Sequence, residues 1–353
     1  MDNPPLTPGT PPQLRDAMTR RLYHRASATG QITLPAVPAM IDEYVGMCEK
    51  VFGDLGVRFT PAELAHLRTV LAGELADAYA ASPRSSIVIT YDSPVGAVLN
   101  YNVRAEWHTL ADTYQNWAAT GRPPLFGAEP DARVWALAWQ AADPGSFRVL
   151  DIGAGTGRNA LALARRGHPV DAVEMTPHFA ETIRADAERD GLDVRVIECD
   201  VFAATDDLRW DYQLILLSGT VSDFRTTRQL RSMFELAARC LAPGGRLVFN
   251  VFLARQGYTP DETARELGQQ CSTSMFTWYE VHNATALLPL NLISDDSVHE
   301  FESTHLPAGA WPPTPWYPSW VSGHDVFDVE RGASPVEMRW LVYEKPGWDG
   351  RAG

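Results

Sequence analysis

The sequence predicts an α/β protein built on a mostly parallel sheet and preceded by a mainly helical region. Three observations predict it. From residue 147 onward, short apolar runs alternate with helical stretches, the order that buries a parallel sheet between helices. The first run, Val149-Leu150-Asp151-Ile152, breaks directly into Gly153-Ala154-Gly155-Thr156-Gly157 and then into a helical string opened by Arg158 and Asn159. Two later runs end in carboxylates, Glu174 and Asp200.

The elements follow in chain order. Residues 1–12 are proline-rich and are expected to be a disordered tail. Residues 13–27 read as a short basic helix. Over 36–55, Val37, Met40, Ile41, Tyr44, Val45, Met47, Val51 and Phe52 recur at helical spacing. Thr60-Pro61-Ala62-Glu63 is a helix start, with a threonine cap, a first-turn proline and a glutamate able to close a capping box. That helix should run to about residue 81. Residues 86–91 and 96–103 read as two strands around Asp92-Ser93-Pro94. Helices are expected over 107–119 and 131–142. The stretch 13–143 is therefore read as a helical lid or substrate region, and 144–353 as the core.

In the core, strands are expected over 149–152, 168–174, 194–201, 213–218, 241–250 and 338–346. An insertion at about 254–334 reads as irregular, with a strand just before Trp278. It holds Trp311-Pro312-Pro313-Thr314-Pro315-Trp316-Tyr317-Pro318-Ser319-Trp320. That segment is too proline-rich for a helix and too rich in tryptophan to be left in water, so an ordered aromatic loop is expected.

Composition narrows the function. The chain has 353 residues, 45% hydrophobic and 21% charged, ordinary for a globular protein. No apolar run approaches the roughly 20 residues of a membrane span. The acidic, proline-rich start does not read as a signal peptide. The net charge of −14 and the lack of a basic stripe argue against nucleic acid and membrane partners. The four cysteines lack C-x-x-C spacing and read as free thiols of a cytoplasmic protein, and no metal site is expected.

Glycines at 153, 155 and 157 let a ligand lie directly against the backbone. A dinucleotide fingerprint needs G-x-G-x-x-G, but Arg158 holds the sixth position, and no Gly-Lys-Ser/Thr follows as in a phosphate-binding loop. Asp151, two residues ahead of Gly153, would repel a pyrophosphate and suit a cation. With Glu174, Asp200 and the turn Leu241-Ala242-Pro243-Gly244-Gly245, the stretch 147–346 resembles the class I S-adenosylmethionine (SAM)-dependent methyltransferases. The resemblance implies a Rossmann-like, mostly parallel sheet of seven strands with the last antiparallel. It implies SAM as cofactor, leaving as S-adenosylhomocysteine, held by Asp151, Gly153, Gly155, Gly157, Glu174, Met175, Asp200 and Val201. In that family Glu174 would meet the ribose hydroxyls, Asp200 the adenine amino group, and the Val201 N–H a ring nitrogen.

Methyl transfer asks the protein to align the reactants, exclude water and sometimes remove a proton. Asp223, just past the strand at 213–218, is a candidate base, and its alternative use is a helix cap. Tyr23 and His24 are further candidates, and their alternative is a helix surface. Trp278, Tyr279, Glu280 and His282 would line the acceptor pocket or pack. Tyr91, Asn100, Tyr101 and Asn102 would hold a substrate amide or make turn bonds. Arg158 and Asn159 are read as capping and flanking their helix.

Eleven tryptophans suit a flat acceptor or a passing cation. The strings at 21–25, 82–91 and 310–314 are similar to bacterial indole C3-methyltransferases that act on tryptophan-containing cyclodipeptides. That resemblance implies methylation at indole C3, loss of the ring N–H proton, and trapping of the imine by a substrate amide. Two other readings stand beside it. One is an O- or N-methyltransferase of another small molecule or a peptide side chain. The other is a catalytically silent SAM-binding partner subunit. The expected partner is a small aromatic substrate, with a homodimer left open.

Overall fold

The computed structural model describes residues 11–23, 27–94, 98–203 and 207–347. The chain divides into two compact units, Met1–Thr109 and Leu110–Gly353. The division falls ahead of the boundary read near residue 143. The reason is packing: Val134, Leu137 and Ala138, on the helix Ala132–Ala138, are buried in the apolar cluster of the second unit.

The first unit opens with the helix Pro11–Tyr23, which starts inside the expected tail; prolines suit a first helical turn. The rest of the expected tail, 1–10, lies outside the described residues. The unit is less helical than expected. It holds a three-stranded antiparallel sheet of β1 (Ala28–Pro35), β2 (Ser86–Ser93) and β3 (Asn100–Glu106), in the order β1-β2-β3. The edge strand β1 is missed from sequence because Gly30 and Pro35 interrupt its alternation. Helices Ile41–Asp54 and Pro61–Ala81 pack with the sheet through Phe52, Leu67, Leu71, Leu75, Ile87 and Ile89, all fully buried. The capping box read at Thr60 and Glu63 is present.

The second unit holds β4 (Val149–Ile152), β5 (Val170–Glu174), β6 (Val194–Glu198), β7 (Tyr212–Leu217), β8 (Leu241–Ala254), β9 (Met275–Phe276), β10 (Asn291–Ser297) and β11 (Val336–Glu344). Their order is β10-β11-β8-β7-β4-β5-β6, with the two-residue β9 added beside β8. The central pairs are parallel, and β11 runs antiparallel to both of its neighbours. This is the Rossmann-like α/β class expected from the sequence. Because both faces are covered, the strands read as continuous apolar runs. Leu150, Ile215, Leu217, Leu247 and Phe249 share one apolar cluster with helices Thr227–Cys240 and Trp278–Thr285. Val149, Leu214, Leu216 and Val248 share the other with helices Ala132–Ala138 and Arg158–Arg165. Each such side chain contributes about 1.5–3 kcal/mol by leaving water.

The stretch 254–334 corrects the expectation of irregular chain. It contains helices Glu262–Gln270, Trp278–Thr285 and Val298–His305 and the strand β10. The first two carry caps at Asp261 and Thr277, local signals hidden by the low hydrophobicity of the segment. Even the aromatic loop ends in a short helix, Tyr317–Val321, because Pro318 falls in its first turn, where a missing N–H costs nothing.

Candidate cofactor and acceptor site

The site is placed by topology. β4 has β5 on one side and β7 on the other, so the connections leave it in opposite directions and open a crevice at the strands' carboxyl ends. The glycine turn lies at that crevice. Gly153, Gly155 and Gly157 have φ of +69°, +57° and +81°, a region where L side chains are strained. Space forbids side chains as well. A Cβ at Gly153 would stand 2.4 Å from Thr220 Oγ1, and one at Gly157 would stand 3.0 Å from Ile183 and Leu161. The turn is laced to its neighbours. The N–H groups of Gly153 and Ala154 donate to the Val173 carbonyl at 2.8 and 3.1 Å. Thr220 Oγ1 donates to the Ile152 carbonyl at 3.0 Å, and the Gly219 N–H donates to Asn250 Oδ1 at 2.7 Å.

Acceptor oxygens crowd this crevice. Glu174, at the end of β5, is 5% exposed. Its carboxylate accepts the Gly155 N–H at 2.7 Å and the Thr176 N–H at 2.7 Å. Burial raises its pKa above the ordinary carboxylate value, opposed by the backbone N–H groups of Thr176 and Gly155. Asp151 in β4 is 2% exposed. Burial first, and then the nearby carboxylates of Asp131 and Glu174, push its pKa up to about 7 against the pull of Arg158. Asp200 follows β6 and is exposed, with Oδ1 accepting the Phe202 N–H at 2.9 Å; Val201 beside it is buried, and Met175 is 39% exposed. Among the described residues neither Glu174 nor Asp151 makes an ion pair, and Arg158, the guanidinium that acts on Asp151, is committed to Asp131 at 2.7 Å. Such a cradle offers acceptors and a negative balance. It fits a ligand that brings a cation, hydroxyls and an amino group, as SAM does, and it does not fit a pyrophosphate.

Next to the turn stands an aromatic wall in which Trp316 and Trp320 of the expected aromatic loop join Trp117, Phe126 and Phe179, which sequence reading missed. A Cβ at Gly155 would be 3.3 Å from the Phe126 ring, and one at Gly219 would be 3.6 Å from Trp320. Phe126 meets Trp117 edge-on at 4.9 Å and Phe179 at 5.7 Å; Trp117 meets Trp316 at 5.7 Å, and Trp316 meets Trp320 at 5.6 Å. These rings come from segments far apart in the chain, so periodicity cannot group them. Tyr114 belongs to the same cluster, with its ring 6.4 Å from Phe179. Its hydroxyl donates to Asp223 Oδ2 at 2.7 Å.

Asp223 lies in the short turn Val221–Asp223, directly after Thr220. It does not cap the following helix: Thr226 does that, in a capping box with Gln229. Of the other candidate bases, Tyr23 ends its helix with its side chain outside the described residues, and His24 lies outside them altogether. The strand expected ahead of Trp278 is only the two-residue β9, and Trp278, Tyr279, Glu280 and His282 themselves are helical. Glu280 closes the capping box with Thr277, and Tyr279 is 74% exposed, so neither is placed as a pocket wall. Tyr91 pairs with Tyr101 across β2 and β3, and both pack around Phe52.

An acceptor-lined crevice at the switch point of a doubly wound sheet defines an α/β domain with its ligand crevice at the strands' carboxyl ends. Residues 149–245, from β4 into β8, match the family model described as a methyltransferase domain. The chain is 28% identical over 132 residues to the tRNA 5-carboxymethoxyuridine methyltransferase of Escherichia coli (strain K12), covering 35% of this chain and 49% of that protein. It is 28% identical over 130 residues to a probable cobalt-precorrin-6B C(15)-methyltransferase (decarboxylating) of Methanothermobacter thermautotrophicus, covering 36% of this chain and 64% of that protein. The chain thus spans about half the length of the first relative. Among solved structures, geranyl diphosphate C-methyltransferase from Streptomyces coelicolor A3(2) is similar, with a TM-score of 0.45 and 17% identity over 61% of this chain and 77% of that one.

Proposed function

We propose that the protein is a SAM-dependent methyltransferase of a small, flat aromatic acceptor. The observation that carries this reading is the cradle itself: a glycine turn ringed by buried carboxylates whose nearby cation is already paired. When bound, SAM supplies a methyl group activated by its sulfonium. The chain's residues do the rest. The glycine turn and Glu174 bind the cofactor, with Asp151, Met175, Asp200 and Val201. The wall of Phe126, Trp117, Trp316 and Trp320 supports a planar ring and excludes water. Asp223, held by Tyr114, accepts the proton that leaves the acceptor. The acidic balance of −14 argues against a nucleic-acid acceptor.

The acceptor proposed for the first test is indole C3 of a tryptophan-containing cyclodipeptide, on the strength of the sequence resemblance. A carboxylate suits this chemistry, because the ring N–H becomes strongly acidic once C3 is alkylated. The lid role read for the N-terminal region is part of the same proposal, and a chain lacking residues 1–109 should lose turnover.

The experiment is methyl transfer from labelled SAM to a panel of cyclodipeptides, simple indoles, phenols and peptides. Label on an indole, with turnover cut about 10²–10⁴-fold in Asp223→Asn, supports the full reading. If Tyr23→Phe or His24→Ala brings that loss instead, the base is reassigned. Label only on a phenol or amine removes the indole and keeps the methyltransferase. Binding of SAM with no transfer to any acceptor favours the silent partner subunit.

A further inference from the structure

Arg158 stands where a dinucleotide turn carries its third glycine, and beyond flanking its helix it has been given no part in the site. Its Nη1 donates to the Glu129 carbonyl at 2.8 Å and its Nη2 to Asp131 Oδ1 at 2.7 Å. Asn159 completes the arrangement: its Nδ2 donates to Asp131 Oδ2 at 2.8 Å, and its Oδ1 accepts the Asp131 N–H at 2.9 Å. Asp131 is 1% exposed and Asn159 5%. The stretch around Glu129 and Asp131 is thus pinned to the first turn of the helix that leaves Gly157.

The same stretch is held from its other end. Glu302 accepts the Ala132 N–H at 2.7 Å and the Arg133 N–H at 3.2 Å, and Trp340 Nε1 of β11 donates to it at 2.9 Å. Just upstream lies Phe126, the ring against Gly155. Residues 126–133 therefore form a strap across the glycine turn, with a ring at one end and a buried charge pair in the middle.

We infer that Arg158 is a positioning residue, which clamps this strap so that Phe126 closes the wall of the cofactor cradle. Only a planar fork can reach the Glu129 carbonyl and the Asp131 carboxylate together; a lysine is a single point of charge. The guanidinium is also kept from the ligand, which preserves the acidic balance of the cradle. The inference rests on the SAM reading for its affinity arm alone.

Two measurements on the full-length chain test it. The first is ligand-free hydrogen exchange over residues 126–133. Charge-assisted hydrogen bonds of this kind correspond to roughly ten- to a hundredfold in a local opening equilibrium. Arg158→Lys and Arg158→Gln should both speed exchange there by about that factor and leave β5 unchanged. Arg158→Lys keeps a cation beside buried Asp131 and so guards against simple unfolding. The second is SAM affinity by calorimetry in a double-mutant cycle with Phe126→Ala. If Arg158 acts through Phe126, the double variant should bind no more than about twofold worse than the weaker single variant. Unchanged exchange in Arg158→Lys, or losses that multiply in the double variant, would overturn the clamp. Failure of the wild type to bind SAM would sink the cofactor reading instead, and the exchange result alone would then decide the clamp.

Discussion

At the scale of the residue, the two buried carboxylates make separate predictions. Glu174 is oriented by two backbone N–H groups, so its carboxylate is preorganised for a donor pair on a ligand. Removing a charged partner from such a pair costs about 1.5–3 kcal/mol. Glu174→Ala should therefore weaken SAM about ten- to a hundredfold by calorimetry, and unchanged affinity would remove Glu174 from the site. Burial pushes the Asp151 carboxyl up to about 7. A cationic ligand favours its ionised form, so below that pH binding must expel a proton. SAM affinity should fall by up to about tenfold per pH unit below 7. Asp151→Asn should flatten this slope; a slope that survives the substitution would place the titrating group elsewhere.

At the scale of the element, the turn between β4 and its helix is over-determined. Gly153 combines a positive φ with a missing side chain that would strike Thr220. Gly153→Ala should destabilise the protein by about 1–3 kcal/mol in urea unfolding, from strain in the left-handed region plus overpacking. Adding Thr220→Ala should recover part of that loss, because it removes the clash and leaves the backbone strain. No recovery would mean that the φ alone dictates glycine. The helix Thr227–Cys240 offers a local counterpart: losing its capping box in Thr226→Ala should cost about 1 kcal/mol by the same measurement, with no change in SAM affinity.

At the scale of the whole molecule, each unit has its own apolar core. Differential scanning calorimetry should give an enthalpy larger than the van't Hoff value of its main transition, and equality of the two would show a single cooperative unit. Stability should also carry an unusual pH term. Burial pushes Asp151 from an ordinary value of 3.8 up to about 7, and burial with the nearby Asp131 raises Glu302 above its ordinary 4.5. Between those values the folded chain keeps protons that the unfolded chain has released. Their contribution is therefore full below the unfolded values and is lost as pH rises through about 7. Asp151→Asn should flatten the fall in melting temperature between pH 4.5 and 7; an unchanged profile would show that Asp151 is not buried as an acid.

The sequence by itself determined the class of the core. Alternation of buried strands and helices is a local pattern, and Gly153, Gly155 and Gly157 announce themselves because a turn of positive φ restricts the residue type. It also marked Asp223, though not its use. Helix capping and hydrogen bonding to another element are equally open to an aspartate in one dimension. Only the tertiary structure brought Tyr114 to Asp223, laid Phe126 on Gly155 and joined Trp117 to Trp316. It alone showed that Arg158 is paired with Asp131. The physical reason is range. Propensity, capping and periodicity act over a few residues, whereas a pocket wall and a buried charge pair are made by segments that meet only after the sheet has closed the distance between them.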